Sequence, residues 1–167
     1  MLTVIVAQAQ NRAIGYKNQL LYHLSADLKR FKALTTGNTI IMGRNTFLSL
    51  PKGALPNRRN IVLSRQKGIE FPGCDTFESL EAALASCRPD EQVFIIGGAM
   101  LYDKALSLAD RLCVTQISAS PDNADAFFPE IKAEEWQEVA HEHHEADERN
   151  ERPFDFVDYT RRKETKK

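Results

Sequence analysis

The chain has 167 residues, of which 43% are hydrophobic and 27% charged, as in an ordinary globular protein long enough to bury a substantial core. Its 22 basic and 23 acidic residues give a formal net charge of −1, which argues against a general nucleic-acid-binding protein. No apolar run approaches the roughly 20 residues of a membrane span, and the N-terminus lacks the pattern of a secretory signal. Three cysteines without metal-binding spacing suit reduced thiols. We therefore expect a single cytoplasmic domain with no nucleic-acid or membrane partner.

Apolar, β-branched segments alternate with helical segments along the first two thirds of the chain. A weak strand is predicted at 76–77, and buried strands are predicted over residues 2–7, 39–43, 59–64, 92–96 and 111–117. Helices are predicted over residues 25–35, 44–50, 79–85 and 99–105. This alternation predicts an α/β fold with a mostly parallel sheet.

The two ends of this pattern differ from its middle. Residues 8–23 show no clear periodicity, and we expect a long loop of the kind that often forms a functional lid. Residues 134–141 and 154–160 alternate like antiparallel strands, so we expect a hairpin on the sheet edge. The domain should span residues 1–160, followed by a charged, frayed tail over 161–167.

The first predicted helix carries a carboxylate, Asp27, among apolar side chains. Asp27 lies within an arc of about 120° that is formed on this helix by Leu24, Leu28, Phe31 and Leu34. Ser25 is expected to cap the helix. The helix dipole stabilises an acidic residue in the first turn, which is an ordinary structural explanation for Asp27. The alternative is a carboxylate that belongs to a binding site.

Three predicted strands end in residues that suit a phosphorylated dinucleotide. Glycines after a strand let the backbone approach a ligand, and arginine and hydroxyl side chains bind phosphate. The carboxyl ends of parallel strands meet at one edge of a sheet, where ligands bind. The three segments are Gly97-Gly98, Arg44-Asn45-Thr46 and Ser64-Arg65. Each alone is compatible with a tight turn or a solvated arginine, but their equivalent positions favour the dinucleotide.

Two polar clusters are open to two interpretations each. Arg58 and Arg59 follow a proline turn. One of them can point into a cleft and bind the carboxylate of a ligand, or both can be exposed to solvent in a basic turn. His141 and His143 would share a strand face and could hold a metal ion, or the histidine run can be an exposed surface tract. No second cluster of ligands accompanies these histidines, so we expect no metal site.

In this order and spacing, the segments resemble the dihydrofolate reductases of the bacterial chromosomal type over nearly the whole chain, to about Thr160. The resemblance rests on Thr115 and on Ala13-Ile14-Gly15, Ser25-Ala26-Asp27-Leu28, Ile41-Met42-Gly43-Arg44, Leu55-Pro56-Asn57-Arg58, Ile96-Gly97-Gly98-Ala99 and Asp125-Ala126-Phe127-Phe128-Pro129. It implies an eight-stranded, mostly parallel sheet with an antiparallel C-terminal edge and about four flanking helices. It also implies a monomer that reduces 7,8-dihydrofolate to 5,6,7,8-tetrahydrofolate with NADPH, supplies one-carbon metabolism and is a target of antifolates.

The resemblance implies a role for each site residue. The catalytic carboxylate would be Asp27, with Tyr22 and Leu20 beside it. Arg58 would bind the glutamate carboxylate of folate, and the rest of the substrate pocket would be formed by Ile5, Leu28, Phe31, Leu50, Leu55 and Thr115. NADPH would be bound by Ala7, Ala13, Ile14, Gly15, Asn18, Gln19, Gly43, Arg44, Asn45, Thr46, Leu63, Ser64, Arg65, Ile96, Gly97, Gly98, Ala99, Met100, Leu101 and Tyr102.

The chain departs from the family pattern just before the first helix. It has Leu21 and Tyr22 where the family usually has Pro-Trp, and Leu20 where it often has Met. Our hypothesis is that the lid closes differently from that of a proline-tryptophan enzyme. The protein would then bind diaminopyrimidine antifolates weakly, which would give trimethoprim resistance.

Two other functions compete with folate reduction. One is a pyrimidine reductase of riboflavin synthesis with the same fold, against which Asp27, Phe31 and Arg58 argue. The other is a non-catalytic NADPH-binding module, against which Asp27 and Thr115 argue.

Overall fold

An eight-stranded sheet forms the centre of the molecule in a computed structural model that describes residues 1–15, 22, 24–66, 68 and 71–162. In chain order the elements are β1 (Leu2–Ala9), β2 (Ala13–Gly15), α1 (Ser25–Thr35), β3 (Thr39–Gly43), α2 (Arg44–Leu48), β4 (Arg59–Leu63), β5 (Cys74–Phe77), α3 (Leu80–Ala85), β6 (Val93–Ile95), α4 (Ala99–Leu106), β7 (Arg111–Ile117), β8 (Ala126–Phe127), β9 (Trp136–His144) and β10 (Phe154–Arg161). None of the helices in these ranges is long and apolar enough to cross a membrane.

The strand order of the main sheet is β5-β4-β3-β6-β1-β7-β10-β9. The pairs from β5 to β7 are parallel, and β10 runs antiparallel to both β7 and β9. The predicted α/β class, the mostly parallel sheet and its antiparallel C-terminal edge are therefore confirmed. The last strand extends through Arg161, and residues 163–167 of the predicted tail lie outside the described residues.

Burial follows the position of each strand in the sheet. The central strands β3 and β6 are apolar and almost fully buried, as expected for parallel strands covered on both faces. The edge strand β9 is exposed along most of its length, and only its first residue, Trp136, lies in the core, with 2% of its surface accessible. Trp136 thus packs the start of this edge strand into the core.

The prediction of one continuous loop over residues 8–23 is wrong in part. Strand β1 continues to Ala9, and β2 pairs with β8 in a small two-stranded sheet. Strands β2 and β8 are too short to show a periodic pattern, and more than a hundred residues separate them. Local sequence therefore does not predict that they pair. Residues 16–21 and 23, the rest of the predicted lid, lie outside the described residues.

Helix α1 has the predicted bounds, but Ser25 does not cap it. The N-cap residue is Leu24, whose side chain makes no capping bond. Instead, Asn150 Oδ1 accepts a hydrogen bond from the Ala26 N–H at 3.0 Å, and the Arg149 carbonyl accepts one from the Ser25 N–H at 3.2 Å. The turn between β9 and β10 thus satisfies the free N–H groups at the start of this helix.

The predicted apolar arc of α1 is only partly buried. Leu24 is 3% exposed and lies in the core, whereas Leu28 is 45% exposed. The fully buried residue within α1 is Thr35, whose hydroxyl donates to the Phe31 carbonyl. One face of α1 therefore leaves apolar side chains accessible, which is unusual for a helix that only supports a core.

Several element ends differ from the prediction by one or two residues. Helix α2 ends at Leu48, two residues early, and β5 begins at Cys74, two residues before the predicted weak strand. Ser79 precedes α3 and caps it, because its hydroxyl accepts a hydrogen bond from the Ala82 N–H at 3.1 Å. These differences lie at partly exposed ends, where local sequence constrains the backbone least.

Candidate functional site

The carboxyl ends of β4, β3 and β6 meet at one rim of the sheet, because these strands are neighbours in it. The Gly43 N–H donates a hydrogen bond of 2.8 Å to the Gly97 carbonyl, which joins the ends of β3 and β6. Gly97 and Gly98 are linked by a cis peptide bond. The structure thus places the predicted glycine, arginine and hydroxyl segments beside one another.

Gly97 occupies a position that no larger residue fits. Its φ is +129°, and a Cβ atom there would lie 3.2 Å from Thr46 Oγ1 and 3.6 Å from the Tyr102 hydroxyl. Gly97 itself is buried there, whereas the neighbouring Gly98 is partly accessible between α2 and α4. A cofactor phosphate can approach this backbone and the first turn of α4 closely.

A second part of the rim is polar and positively charged. The Arg44 guanidinium donates a hydrogen bond to Gln66 Oε1, and the Gln66 N–H donates to Ser64 Oγ at 3.3 Å. Gln66, which sequence reasoning did not single out, therefore joins two predicted cofactor residues. Arg65 is exposed beside them. Guanidinium and hydroxyl groups held together in this way suit a phosphate monoester.

The other predicted cofactor residues lie mostly around the same rim. Ala7 is in β1, β2 consists of Ala13, Ile14 and Gly15, and Leu63 ends β4. Within α4, Met100 is 83% exposed, whereas Leu101 belongs to the core at 7%. Asn45, Ile96 and Ala99 are at least partly accessible at the start of α2, after β6 and at the start of α4. Asn18, Gln19 and Leu20 lie outside the described residues.

Asp27 projects from the first turn of α1 toward β7. The buried hydroxyl of Thr115 donates a hydrogen bond to Asp27 Oδ1 at 2.5 Å. Burial raises the pKa of Asp27 above its ordinary value, while the Thr115 hydrogen bond and the Arg30 charge act in the opposite direction. A carboxylate held away from water with one partner can accept hydrogen bonds from a ligand's N–H groups.

A small recess opens in front of this carboxylate. Its wall consists of Asp27 and six other residues: Ala7, Ala13, Ile14, Tyr22, Leu24 and Ile117. Tyr22 is half-buried there, and the Arg152 guanidinium lies 5.6 Å from the centre of its ring. The predicted catalytic Tyr22 is thus brought to Asp27.

Tyr102 connects the recess with the glycine segment. Its hydroxyl donates a hydrogen bond of 2.7 Å to the Ile5 carbonyl and also lies next to Gly97. Burial raises the pKa of Tyr102, and the negative charge of Asp27 raises it further, so the hydroxyl stays protonated. Ile5, predicted to bind substrate, and Gly97, predicted to bind cofactor, therefore share a neighbour.

The predicted apolar pocket residues gather on one side of the sheet. Ile5, Leu50 and Leu55 are half-buried and pack against one core cluster, together with Ile96. Phe31 and Leu28 stand on α1, Phe31 half-buried and Leu28 more exposed. Partly accessible apolar side chains on both α1 and the sheet suit the walls of a cleft for an aromatic ligand.

The two neighbouring arginines have different surroundings. Arg58 Nη1 donates to the Thr35 hydroxyl at 3.1 Å, at the end of α1. Arg59 is paired with Asp75 at 2.9 Å and also contacts Ser86. Partial burial lowers the pKa of Arg58, which has no carboxylate partner among the described residues, so its charge is available to an anionic ligand.

A family model described as dihydrofolate reductase matches residues 1–161 of the chain. The chain belongs to the dihydrofolate reductase family. Dihydrofolate reductase type 3 of Salmonella typhimurium is 42% identical over 163 residues, which are 98% of this chain and 99% of that protein. Dihydrofolate reductase of Bacillus subtilis is 40% identical over 166 residues, with 99% and 98% covered.

Solved structures of this family show the same fold. The dihydrofolate reductase from Enterococcus faecalis, complexed with NADP(H) and RAB-propyl, has a TM-score of 0.90 to this chain at 35% identity. The similarity covers 98% of this chain and 97% of that one. The resemblance inferred from the sequence is therefore confirmed.

The histidines of β9 pair with carboxylates at the edge of the sheet. His141 and His143 both pair with Asp155, and His144 pairs with Glu142. No group of three potential metal ligands occurs in the described ranges. Hydrogen bonds to Asp155 and Glu145 raise the pKa of His143, and the bond to Asp155 raises that of His141. The exposed strand thus carries histidine–carboxylate pairs.

Sequence reasoning missed three contacts near the site. They are the Asn150 cap of α1, the Gln66 link at the phosphate rim, and an ion pair between Arg30 and Asp158. The cap and the ion pair join residues 124 and 128 positions apart, so no local pattern could have shown them. A clue for Gln66 was its place directly after the Ser64-Arg65 segment.

Proposed function

We propose that this chain reduces 7,8-dihydrofolate to 5,6,7,8-tetrahydrofolate with NADPH. The observation that carries the proposal is the Asp27 carboxylate, which lines a recess and is held by the Thr115 hydroxyl. Family membership over the whole length of the domain supports the same reaction. The competing functions, a riboflavin-pathway reductase and a non-catalytic module, are not favoured by these relatives.

The residues at the rim fit NADPH. The backbone of the Gly97-Gly98 segment and the N-terminus of α4 would hold the pyrophosphate. Arg44, Ser64 and Arg65 would hold the 2′-phosphate, with Gln66 orienting the guanidinium of Arg44. When bound, NADPH supplies a hydride for C6 of the pterin.

Asp27 would hold the pterin ring by its amino and ring N–H groups. The hydrogen bond from Thr115 fixes Oδ1 of the carboxylate and so sets the direction of its other oxygen. Reduction at C6 also requires a proton at N5, and a carboxylate of raised proton affinity favours positive charge on the bound ring. No covalent intermediate with the protein is needed.

The rest of the cleft would position the substrate. Ile5, Leu50 and Leu55 from one side, with Leu28 and Phe31 from α1, would enclose the pterin and benzoyl rings and exclude water. Arg58 would bind the glutamate carboxylate. The partners proposed are thus dihydrofolate and antifolate inhibitors, for a monomeric enzyme of the cytoplasm.

Oxidation of NADPH at 340 nm with dihydrofolate as the sole acceptor tests the proposal. We expect steady turnover, a much lower rate with NADH, and none with the ribosylated pyrimidine intermediate of riboflavin synthesis. Turnover of the pyrimidine alone would favour the first competing function. NADPH binding without oxidation of any acceptor would favour the non-catalytic module.

A further inference from the structure

Arg30 stands one turn after Asp27 on α1, so the two side chains lie on the same side of the helix. Arg30 Nη2 lies 2.6 Å from Asp158 Oδ1 on β10, and the two side chains are only 22% and 25% exposed. The guanidinium carbon of Arg30 also lies 4.5 Å from the centre of the Phe156 ring. Arg30 is therefore fixed on the inner side of α1 instead of extending into solvent.

The register of β7 and β10 shows that both contacts come from one face of the sheet. Thr115 is opposite Phe156, and Cys113 is opposite Asp158. Residues two apart on a strand point to the same face, so Thr115 and Asp158 both face α1. Consecutive turns of the helix are thus attached to the sheet, Asp27 by a neutral hydroxyl and Arg30 by a carboxylate.

We propose that Arg30 and Asp158 act as positioning residues for the reduction: Asp158 fixes and neutralises the Arg30 guanidinium one helical turn from the Asp27 carboxylate. This inference rests on the proposed function, because it concerns the carboxylate used in that reaction. Without Asp158, the cation would be uncompensated one turn from Asp27 and would favour the ionised carboxylate.

The groups that face Asp27 from β7 and α4 carry no competing charge at neutral pH, and across the recess the Arg152 cation lies 5.6 Å from the centre of the Tyr22 ring. Thr115 is neutral, and Tyr102 from α4 stays protonated because burial raises its pKa. Cys113 from β7, next to the ion pair, has its pKa raised to about 11 by burial. Arg30 and Asp158 form the charged pair one helical turn from Asp27, and a substitution can change the charge of either residue.

The two single substitutions should shift the pH profile in opposite directions. Asp158→Asn leaves Arg30 uncompensated and lowers the proton affinity of the carboxylate and any pterin bound to it. Arg30→Gln removes the cation, leaves the negative Asp158, and raises that affinity. Because the reaction consumes a proton, hydride transfer at alkaline pH should be on the order of threefold slower in the first variant and threefold faster in the second.

The double variant Arg30→Gln/Asp158→Asn should restore the profile, because it again places a neutral pair beside Asp27. A merely structural role predicts otherwise, since losing both partners should disturb α1 at least as much as losing one. Asp75→Asn, which breaks the distant pair with Arg59, is the matched control and should leave the profile unchanged.

The test combines hydride-transfer rates between pH 5 and 9 with the carbon-13 NMR titration of the Asp27 carboxyl in the free protein. Opposite shifts in the two single variants, and their cancellation in the double variant, are the expected result. Shifts of the same sign, or an unmoved Asp27 titration, would overturn the inference. If the wild-type protein fails to oxidise NADPH with dihydrofolate, that result counts against the proposed function. The NMR titration needs no substrate, so it still decides whether Arg30 and Asp158 set the proton affinity of Asp27.

Discussion

Thr115 donates its hydroxyl hydrogen to Asp27 across 88 residues of sequence and so fixes the carboxylate of α1 against β7. The bond counters part of the cost of burying Asp27, because it favours the charged form. The other carboxylate oxygen is not engaged by a hydrogen bond from any described side chain. This arrangement explains why an acidic residue is placed among the apolar side chains at the start of the helix.

Replacing Thr115 with Val should raise the pKa of Asp27 and weaken folate binding about tenfold, the loss expected for one hydrogen bond to a charged group. Valine keeps the shape of the side chain and removes the hydroxyl. Titration of folate binding by fluorescence, at several pH values, measures both effects. Thr115→Ser keeps the hydroxyl and should retain most of the affinity; equal losses in the two variants would argue against the hydrogen bond as the cause.

Asp27 should reduce the stability of the protein at neutral pH. The pKa of Asp27 is raised in the folded state. At pH values between its unfolded-state and folded-state pKa, the folded protein therefore binds more protons than the unfolded protein. The free energy of unfolding thus falls as pH rises through that window. Asp27→Asn removes this loss and should unfold at a higher temperature than wild type at pH 7. At pH values below the ordinary pKa of Asp, 3.8, the advantage should disappear.

Thermal unfolding across this pH range measures the difference between the two proteins. A constant advantage at all pH values would indicate a packing effect, and a wild-type protein that is the more stable at pH 7 would contradict the raised pKa.

Asn150→Ala should destabilise the protein by about 1 kcal/mol, because it removes the acceptor at the start of α1. For a chain of this size, the midpoint of thermal unfolding should fall by about 2–4 °C. Arg149→Ala is a suitable control, since only the Arg149 carbonyl contacts Ser25 and the backbone is kept. If both variants unfold at the same temperature, the side chain of Asn150 does not act as a cap.

Tyr22→Trp should tighten the binding of trimethoprim roughly fivefold, the gain from the apolar area that a larger ring can bury. Tyr22 is half-buried beside Asp27, at the position where the resemblance noted from the sequence implies a tryptophan. Inhibition constants with dihydrofolate as substrate measure the effect. Tyr22→Phe removes only the hydroxyl and should change the constant less. An unaltered constant in Tyr22→Trp would mean that this residue does not limit antifolate binding.

The sequence predicted the parts of the fold in which one segment determines its own structure. The apolar runs of β3 and β7 and the periodicity of α1 gave element bounds that match the structure. The pairing of β2 with β8 was not predicted, because three residues and two residues are too few to show a period. The cap of α1 was assigned to Ser25, although Asn150, far along the chain, supplies the acceptor.

In the site too, features that depend on local sequence were predictable, whereas contacts between distant segments were not. Glycines and arginines after strands indicate a phosphate-binding rim by their position alone, and the topology brings these segments together. The local sequence around Asp27 suits a plain helix-start acid as well as a site, and only the resemblance of the whole chain favours the site. Its electrostatic surroundings depend on Thr115 and on the pair of Arg30 and Asp158, which are contacts between distant segments. Side chains that meet only after folding leave no pattern in local sequence.

The most direct test of the account is the turnover of Asp27→Asn. Asparagine keeps the size of the side chain but cannot carry the negative charge that favours a protonated pterin. At pH 7 we expect the rate of NADPH oxidation with dihydrofolate to fall by at least about a hundredfold, while the dissociation constant of NADPH stays within about twofold of wild type. Turnover equal to that of wild type in the folded, purified variant would contradict the central role of Asp27.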